Sequence, residues 1–340
     1  MGKLVDSASD PAIPTLAAVL DPAELVKQLS MCECPRRQWD LSQGARVIVL
    51  KWKRASRCTF EIALKNASGW EELIGKVYAE DRIDIYHTME ELRQAGFGSE
   101  QEFGIPCPIA FIAPLRLLLY EKAPGTRART LIVGPGGTER VNAVEQCARW
   151  LARFQAEAPR RGSMFRAQDY LGGLEEWFPD SGNSGLPFAY EAKSLTEQLN
   201  AAARHLEGTE MCAGHGMYTC GQVLLTERRT VTIDWDTFNL SDPSHDVARF
   251  LVDLQRTALK YFGSLNALDQ AAEVFLKTYA AAGGSYDATS LAFYRAAICL
   301  ERARSDVNKQ NPGWRARAEM MLDEGLGLLQ RDKVGVQLRS

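Results

Sequence analysis

Two polar residues flank a short predicted hairpin and could share a metal ion. Gln222 directly precedes an apolar strand predicted at 223–225, and Asp234 directly follows one predicted at 231–233. If these strands pair, both residues lie at the same end of the hairpin. An amide oxygen and a carboxylate suit Mg²⁺ when phosphate oxygens complete its shell. The pattern predicts a Mg²⁺ site, and ordinary turn and helix-cap chemistry is the alternative.

The hairpin belongs to a chain whose hydrophobic period changes near residue 122. Before that point apolar residues alternate, which predicts an antiparallel meander, then a helix, then two more strands. The predicted strands span 46–52, 57–64, 72–78, 106–112 and 116–121, and the predicted helix spans 83–95. A further helix, broken near residue 21, is predicted at 15–29.

The period after residue 125 is mostly helical. Helices are predicted around an apolar stripe at 141–154 and at 168–177, 190–206, 244–261, 266–281, 287–308 and 313–329. The fold class is therefore α+β. We expect an N-terminal extension with a helix at 1–40, a β-rich lobe at 41–122, and a helical lobe at 123–340 that carries the hairpin.

The composition is that of a globular protein larger than one average domain. The 340 residues are 46% hydrophobic and 24% charged, with a net charge of −3. These values exclude collagen-like, low-complexity and mostly disordered chains, and they argue against a broad nucleic-acid surface. Apolar runs are too short for a bilayer and no signal peptide is evident, so we expect no nucleic-acid or membrane partner and a cytoplasmic location. The eight cysteines are then reduced, and the pair Cys32 and Cys34 alone is a weak indication of zinc.

The segment 215–246 resembles the aminoglycoside phosphotransferase and choline kinase-like family, which has the protein-kinase-like fold. That family carries H-G-D-x-x-x-x-N, then I-D-[FW]-[DE], then G-D-P-x-x-D. This chain keeps the spacing, with His215 in the first motif, Asp234 in the second and Asp246 in the third. The resemblance implies a small antiparallel β-sheet N-lobe, a mainly helical C-lobe and a nucleotide bound between them.

The resemblance also assigns roles to single residues. Asp234 corresponds to the magnesium aspartate, and Gln222 stands at the metal-binding asparagine, where its amide could still supply an oxygen ligand. Met217 replaces the catalytic aspartate, and His215, two residues earlier, is the other candidate catalytic residue of this motif. A thioether cannot accept a proton, and a general base contributes about 10²–10⁴-fold to the rate. Asp236 is a candidate substitute, but on a continuing strand it would share the face of Asp234 and compete for the metal.

In the first lobe, Lys76 on the third predicted strand matches the lysine that holds the α- and β-phosphates of ATP. An exposed strand lysine is the alternative reading. Glu90 and Glu91 on the following helix are both candidates for its carboxylate partner. By position, the backbone near Glu121 and Ala123 would contact adenine.

Together these matches predict a protein that binds ATP and Mg²⁺ and is a pseudokinase or a very weak phosphotransferase. Its partners would be the nucleotide and an unknown small-molecule acceptor or protein. The alternatives are an active ATP-dependent phosphotransferase for a small hydroxyl- or amine-bearing metabolite, and a scaffold that binds neither. Glu175, Glu176 and Asp180 could form an acidic rim for a cationic acceptor, although scattered surface acids also explain them.

Overall fold

The computed structural model describes residues 10–31, 38–175, 187–204, 206 and 210–337. The chain divides into two compact units. The first joins the chain up to Gly125 to the segment Leu224–Asp236, and the second joins Thr126–Val223 to the chain from Thr237 onwards. Four residues singled out in the sequence lie outside the described ranges, namely Cys32, Cys34, Glu176 and Asp180.

Strands dominate the first unit and helices dominate the second. Up to Gly125 the elements are α1 (Leu16–Leu20), α2 (Pro22–Ser30), β1 (Ala45–Lys53), β2 (Arg57–Asn66), β3 (Gly69–Tyr78), α3 (Ile83–Leu92), β4 (Phe103–Gly104), β5 (Pro108–Ile112) and β6 (Leu117–Glu121). From Thr126 onwards they are β7 (Thr126–Arg127), α4 (Ala128–Val133), α5 (Gly137–Glu157), α6 (Ala167–Glu175), α7 (Ala189–Ala203), β8 (Cys212–Gly214), β9 (Val223–Leu225), β10 (Thr230–Thr232), β11 (Asn239–Ser241), α8 (Pro243–Phe262), α9 (Asp269–Ala281), α10 (Ala288–Lys309) and α11 (Trp314–Gln337). The predicted α+β class is confirmed.

The main sheet of the first unit has five strands in the order β1-β2-β3-β6-β5, and every neighbouring pair is antiparallel. Strand β2 alternates between half-buried and buried residues, and the buried set is Cys58, Phe60, Ile62 and Leu64. These side chains join one core with buried residues of α1 and α2. The alternation read from the sequence therefore marks the covered face of this sheet.

Two predicted helices of the first unit are confirmed, each with a local interruption. Between α1 and α2 the Asp21 side chain accepts the first free N–H groups, and Pro22 occupies the first helical position. Helix α3 continues beyond its last regular residue as a wider turn at Arg93–Phe97, in which Gly96 has a φ of 98°. Glycine tolerates this left-handed backbone, so the helix ends there.

The predicted hairpin exists, and its strands β9 and β10 are neighbours in a small sheet. In its turn the N–H of Thr226 donates to the carbonyl of Arg229 at 2.9 Å. Strand β10 also pairs in parallel with β4, and Leu224–Asp236 groups with the first unit. The predicted lobe boundary at residue 122 places the hairpin with the helical lobe at 123–340. A two-residue strand such as β4 shows no alternation from which its pairing could be predicted.

The helices of the second unit follow the predicted segments with small shifts at their ends, except that α11 continues to Gln337, eight residues beyond its predicted end, and α4 is an additional short helix. Strand β8 pairs antiparallel with β11, so residues 212–214 lie beside 239–241. The segments that precede and follow the hairpin in sequence therefore run side by side. None of the helices described here combines the length and the apolar character needed to cross a membrane.

Candidate functional site

Lys76 is a buried cation in the sheet of the first unit. It lies on β3 between Thr59 of β2 and Leu118 of β6, and only 6% of its side chain is exposed. Its Nζ donates to Oδ1 of Asp234 at 2.5 Å and to Oδ1 of Asp236 at 2.9 Å. Burial disfavours the ammonium, but the two adjacent carboxylates help to raise the pKa of Lys76 above its ordinary value. The exposed-lysine reading is therefore wrong, and the structure brings Lys76 and Asp234 together.

Asp236 binds three donors of the first unit. Besides Lys76, its Oδ1 accepts from Tyr78 Oη at 3.0 Å, and its Oδ2 lies 2.8 Å from Nε of Arg57. Its side chain is 4% exposed, against 27% for Asp234. Asp234 has a left-handed backbone with a φ of 75°, so strand β10 does not continue to Asp236. Asp236 thus serves as a buried counter-ion, and its carboxylate is not free to act as a substitute base.

Helix α3 presents apolar side chains to Lys76. Ile85 and Met89 of this helix line a small cavity beside the lysine. Glu90 instead forms an ion pair with Arg93, with 3.5 Å between Oε1 and Nε. The carboxylates that bind Lys76 come from residues 234–236 rather than from α3. From the sequence, Asp236 was a candidate substitute base or a competitor for the metal, and local spacing carries no signal for this counter-ion role.

Glu121 and Ala123 lie where β6 ends. The N–H of Glu121 donates to the carbonyl of Cys107 at 2.9 Å, and its carboxylate accepts the N–H of Cys107 at 3.2 Å. Ala123 follows the last pairing of β6, so its backbone stands outside that ladder. Gly125 has a φ of 128°, and a Cβ there would lie 2.9 Å from the carbonyl oxygen of Leu225. Only glycine permits this approach, which fixes the chain after β6 against β9.

Asp246 of α8 holds the loop that begins at His215. The N–H of His215, which is fully buried, donates to Oδ2 of Asp246 at 2.6 Å. Nδ1 of His215 accepts the N–H of Met217 at 3.3 Å. Between them Gly216 has a φ of 76°, and a Cβ there would collide with the carbonyl oxygen of Thr237. The His-Gly pair therefore shapes the loop backbone, and His215 positions Met217 by a hydrogen bond to its backbone.

Asp253 holds the other end of this loop. Its Oδ2 accepts from the N–H of Cys220 at 3.1 Å and from the thiol at 3.0 Å. Its Oδ1 lies 3.0 Å from Nη2 of Arg129. Asp246 and Asp253 are seven residues apart on α8, so two helical turns place them on one face. This spacing is a sequence signal that motif matching alone overlooks.

Met217 lines an open cavity of about 830 Å³ in the second unit, together with Gln222 and the facing ends of α8, α10 and α11. We call this space the Met217 cavity. Met217 is half-buried, and Arg302 of α10 places its Nη2 atom 3.8 Å from the Met217 sulfur. Oε1 of Gln222 accepts from Oγ1 of Thr219 at 3.1 Å. A guanidinium thus adjoins the Met217 side chain.

The predicted Mg²⁺ ligands are oxygen donors without a preformed cage. Within the ranges that the structure describes, no three His, Cys, Asp or Glu side chains are grouped to hold a metal. Mg²⁺ normally keeps several waters and takes one or two carboxylates plus substrate phosphates, so it needs no such cage. The partly exposed carboxylate of Asp234 and the amide oxygen of Gln222 fit this donor chemistry.

His245 is buried beside the motif residue Asp246 on α8. Its ring stacks on Phe165 with 4.2 Å between centroids, and Nε of Arg249 donates to its Nε2 at 3.3 Å. Burial and the adjacent Arg249 lower the pKa of His245 well below its ordinary value, although Glu301 acts in the opposite direction. The imidazole is therefore neutral in the folded protein.

This buried histidine should make the protein less stable as the pH falls from about 7.5 to about 5.5. Below about pH 6.5 the unfolded chain binds a proton at His245 that the folded chain does not, and this favours unfolding. The loss from this residue approaches about 1.4 kcal/mol at pH 5.5. Urea denaturation at both pH values measures the free energy of unfolding. Between about pH 7.5 and about pH 5.5, His245→Phe should lose less of this free energy than the unchanged protein. The exposed-site control His87→Gln should lose as much as the unchanged protein. Equal pH dependence in His245→Phe and the unchanged protein would contradict the assignment.

Comparisons with known proteins show the family and the fold. The model of a family described as phosphotransferase enzyme family matches residues 75–294. No curated protein matches the chain significantly. Among solved structures the chain is similar to a choline/ethanolamine kinase family protein from Mesorhizobium loti, with a TM-score of 0.61, 13% identity, and coverage of 90% of this chain and 94% of that one.

Two further solved structures were determined with ligands. One is a glucosamine kinase in complex with glucosamine, ADP and inorganic phosphate, with a TM-score of 0.61, 14% identity, and coverage of 92% of this chain and 87% of that one. The other is a thermostable mutant of the aminoglycoside phosphotransferase APH(4)-Ia in a ternary complex with ADP and hygromycin B, with a TM-score of 0.56, 17% identity, and coverage of 82% and 94%. At these identities the likeness shows a shared protein-kinase-like fold.

Proposed function

Because the chain belongs to the phosphotransferase enzyme family, we propose that it binds ATP with Mg²⁺ and is a pseudokinase or a very weak phosphotransferase. The observation that carries this proposal is the buried ammonium of Lys76, held 2.5 Å from the partly exposed carboxylate of Asp234. Kinases use a lysine on this strand to bind phosphates and an aspartate to bind the metal. ADP in the complexes of two structural neighbours supports nucleotide use.

In the proposed complex Lys76 binds phosphate oxygens. Asp236 keeps the ammonium in place through its 2.9 Å contact when Asp234 turns to the metal. Asp234 and Gln222 supply a carboxylate and an amide oxygen as Mg²⁺ ligands. Bound Mg²⁺ neutralises charge on the phosphates.

The proposed adenine contacts are backbone groups of Glu121 and Ala123. The backbone of Ala123 stands outside the ladder of β6, and the side chain of Glu121 is already used by the N–H of Cys107. Such contacts depend on backbone geometry and place no demand on residue type. A small-molecule acceptor or a protein is the proposed second partner, and a cytoplasmic location remains a prediction.

Met217 accounts for the low turnover in this proposal. The carboxylates that line the Met217 cavity are Asp253 and Asp306. Asp253 is bound by Arg129 at 3.0 Å and Asp306 by Arg256 at 2.5 Å, so arginines already hold both. Without a base the reaction loses about 10²–10⁴-fold. Phosphoryl transfer depends mostly on positioning and charge neutralisation, so slow turnover can persist.

An active ATP-dependent phosphotransferase for a small hydroxyl- or amine-bearing metabolite is the second candidate. The observation in its favour is the Met217 cavity itself, whose volume of about 830 Å³ suits a small molecule. A protein that only retained nucleotide would have no need of this space. Acceptor-dependent consumption of ATP by the unchanged protein would favour this candidate over a pseudokinase.

ATP with Mg²⁺ should raise the melting temperature of the protein. Ligand at about 100 times its Kd stabilises the folded state by about 2.7 kcal/mol, which amounts to about 4 °C for a chain of this size. Differential scanning fluorimetry with ATP, with Mg²⁺ and with both measures the shift. Asp234→Asn should remove the part of the shift that depends on Mg²⁺, because an amide is a weaker ligand than a carboxylate.

The matched control is Asp323→Asn on α11, an exposed carboxylate in the second unit. It removes the same charge from a residue outside the proposed nucleotide site, so it should leave the nucleotide-dependent shift in melting temperature unchanged. Absence of any shift at millimolar ATP and Mg²⁺ would rule out nucleotide binding and favour a scaffold that binds neither.

A further inference from the structure

We propose that the Met217 cavity binds a small anionic ligand, one that carries phosphate or carboxylate groups, through Arg302, Lys260 and Lys309. The proposal concerns binding within the second unit and does not require nucleotide in the first. One extension rests on the proposed function: where turnover occurs, this ligand is the acceptor.

The charges that line the cavity are unequal. Six cationic side chains face two aspartates, although the whole chain has a net charge of −3. The six cations are Arg129, Arg256, Lys260, Arg302, Lys309 and Arg317. A concave surface with excess charge of one sign concentrates ions of the opposite sign. The cavity therefore disfavours a cationic acceptor such as an aminoglycoside or choline, which is the class that an acidic rim would have suited.

The two aspartates are already neutralised by three of the arginines. Asp253 lies 3.0 Å from Arg129. Asp306 lies 2.5 Å from Arg256 and 3.3 Å from Arg317. Both aspartates are thus paired with arginines of the cavity, and in the described part of the chain neither forms an ion pair with Arg302, Lys260 or Lys309.

The two lysines have no carboxylate partner. Over the described parts of the chain, neither Lys260 nor Lys309 forms an ion pair. Nζ of Lys309 contacts Oγ of Ser305 at 2.9 Å, and Nζ of Lys260 lies 4.9 Å from the ring centroid of Tyr261. Both ammonium groups are exposed at the cavity and can turn to a ligand without breaking an ion pair.

Arg302 brings a third cation to the part of the cavity beside Met217. Its nearest carboxylate is Glu301, at 3.8 Å from Nη1. Glu301 is bound more closely by Arg249, at 2.6 Å. The guanidinium of Arg302 therefore keeps donors that match a carboxylate or phosphate in a two-point contact.

Cavity size and the spread of charge define the ligand further. A volume of about 830 Å³ lies within the range of small-molecule sites. The three available cations come from two helices, Lys260 from α8 and the other two from α10. A ligand that satisfies all of them carries more than one negative group. Pyrophosphate and citrate represent the phosphate and carboxylate forms of this chemistry.

Isothermal titration of pyrophosphate and of citrate into the full chain at low ionic strength tests the proposal, with choline chloride as the cationic probe. We expect at least one anion to bind, choline not to bind, and added salt to weaken the anion. Arg302→Gln and the double variant Lys260→Gln/Lys309→Gln should each weaken anion binding about tenfold or more. Because both lysines are exposed, the double variant tests the site even if Arg302→Gln fails to fold.

Two comparisons separate this site from other sources of anion binding. Lys277→Gln on α9 removes an exposed charge outside the cavity and should leave affinity unchanged. Lys76→Ala, in preparations whose circular dichroism matches that of the unchanged protein, should also leave it unchanged, because Lys76 belongs to the first unit. Binding that disappears in this folded variant would place the anion at the proposed nucleotide site and overturn the present proposal while supporting that one. Failure of both anions to bind, equal weakening by Lys277→Gln, or binding of choline would also overturn it.

Discussion

Replacing Asp236 by alanine should destabilise the protein by about 3 kcal/mol, because breaking a buried charge pair from one side leaves its partners uncompensated. The carboxylate accepts from Tyr78 and lies within 2.9 Å of both Lys76 and Arg57. Lys76 keeps its contact with Asp234 in the variant, so we expect the lower end of the range for buried pairs. Urea denaturation followed by circular dichroism measures the change.

Asp234→Ala is the matched comparison, since it removes the other carboxylate bound to Lys76. Asp234 is 27% exposed and Asp236 only 4%. Water can therefore replace much of what Asp234 supplies, and the loss should be about 1 kcal/mol. For Mg²⁺-dependent nucleotide binding we expect the reverse: Asp234→Ala should weaken the affinity more than Asp236→Ala does. Equal destabilisation by the two variants would contradict the role of Asp236 as the principal counter-ion.

The elements of the fold were predictable where periodicity was strong. Alternation of apolar residues predicted strand β2, because burial on one side of a sheet imposes a period of two, and Cys58, Phe60, Ile62 and Leu64 form its buried face. Strand β4 has two residues and α4 has six, so neither is long enough to show a period. The pairing of β4 with β10 could therefore not be predicted from the sequence. The grouping of Leu224–Asp236 with the first unit could not be predicted either.

The candidate site was predictable to the extent that its chemistry lies in short motifs. Lys76, Asp234 and Met217 were singled out because their motifs resemble those of the phosphotransferase family, and contact between the first two is observed. The counter-ion role of Asp236 depends on a left-handed residue at Asp234 and on donors from β2 and β3. No local pattern encodes such an arrangement, because its partners are more than 150 residues apart in sequence.

Arg302 in the second unit is also a residue whose contact could not be predicted from a local sequence pattern. It reaches Met217 from 85 residues further along the chain. On α10 its charge reads as an ordinary helix-surface residue, and only the packing of α8, α10 and α11 turns it toward a cavity. The positive charge around Met217 could therefore not be predicted from the sequence. The charged residues that the sequence did suggest for an acceptor site were the acidic residues Glu175, Glu176 and Asp180.

Introducing a carboxylate with Met217→Asp should raise phosphoryl transfer by at most about 10²–10⁴-fold, the contribution expected of a general base. Met217 is half-buried in an open cavity, so a polar side chain there remains hydrated and the fold should tolerate it. The guanidinium of Arg302, 3.8 Å from the present sulfur, would hold the new carboxylate ionised but would also weaken it as a base. We therefore expect the lower half of that range. Hydrolysis of ATP and a screen of hydroxyl- and amine-bearing acceptors, both with Mg²⁺, measure the gain.

Met217→Asn is the control for this experiment, because an amide matches the shape of the carboxylate but cannot accept the proton. It should bind ATP like Met217→Asp and show no gain in transfer, and melting temperatures of all three proteins exclude unfolding as the cause of any difference. If phosphoryl transfer rises in both variants, the gain comes from removal of the thioether and not from the presence of a base. Rapid transfer by the unchanged protein, insensitive to position 217, would show that another group moves the proton and that the protein is an active phosphotransferase.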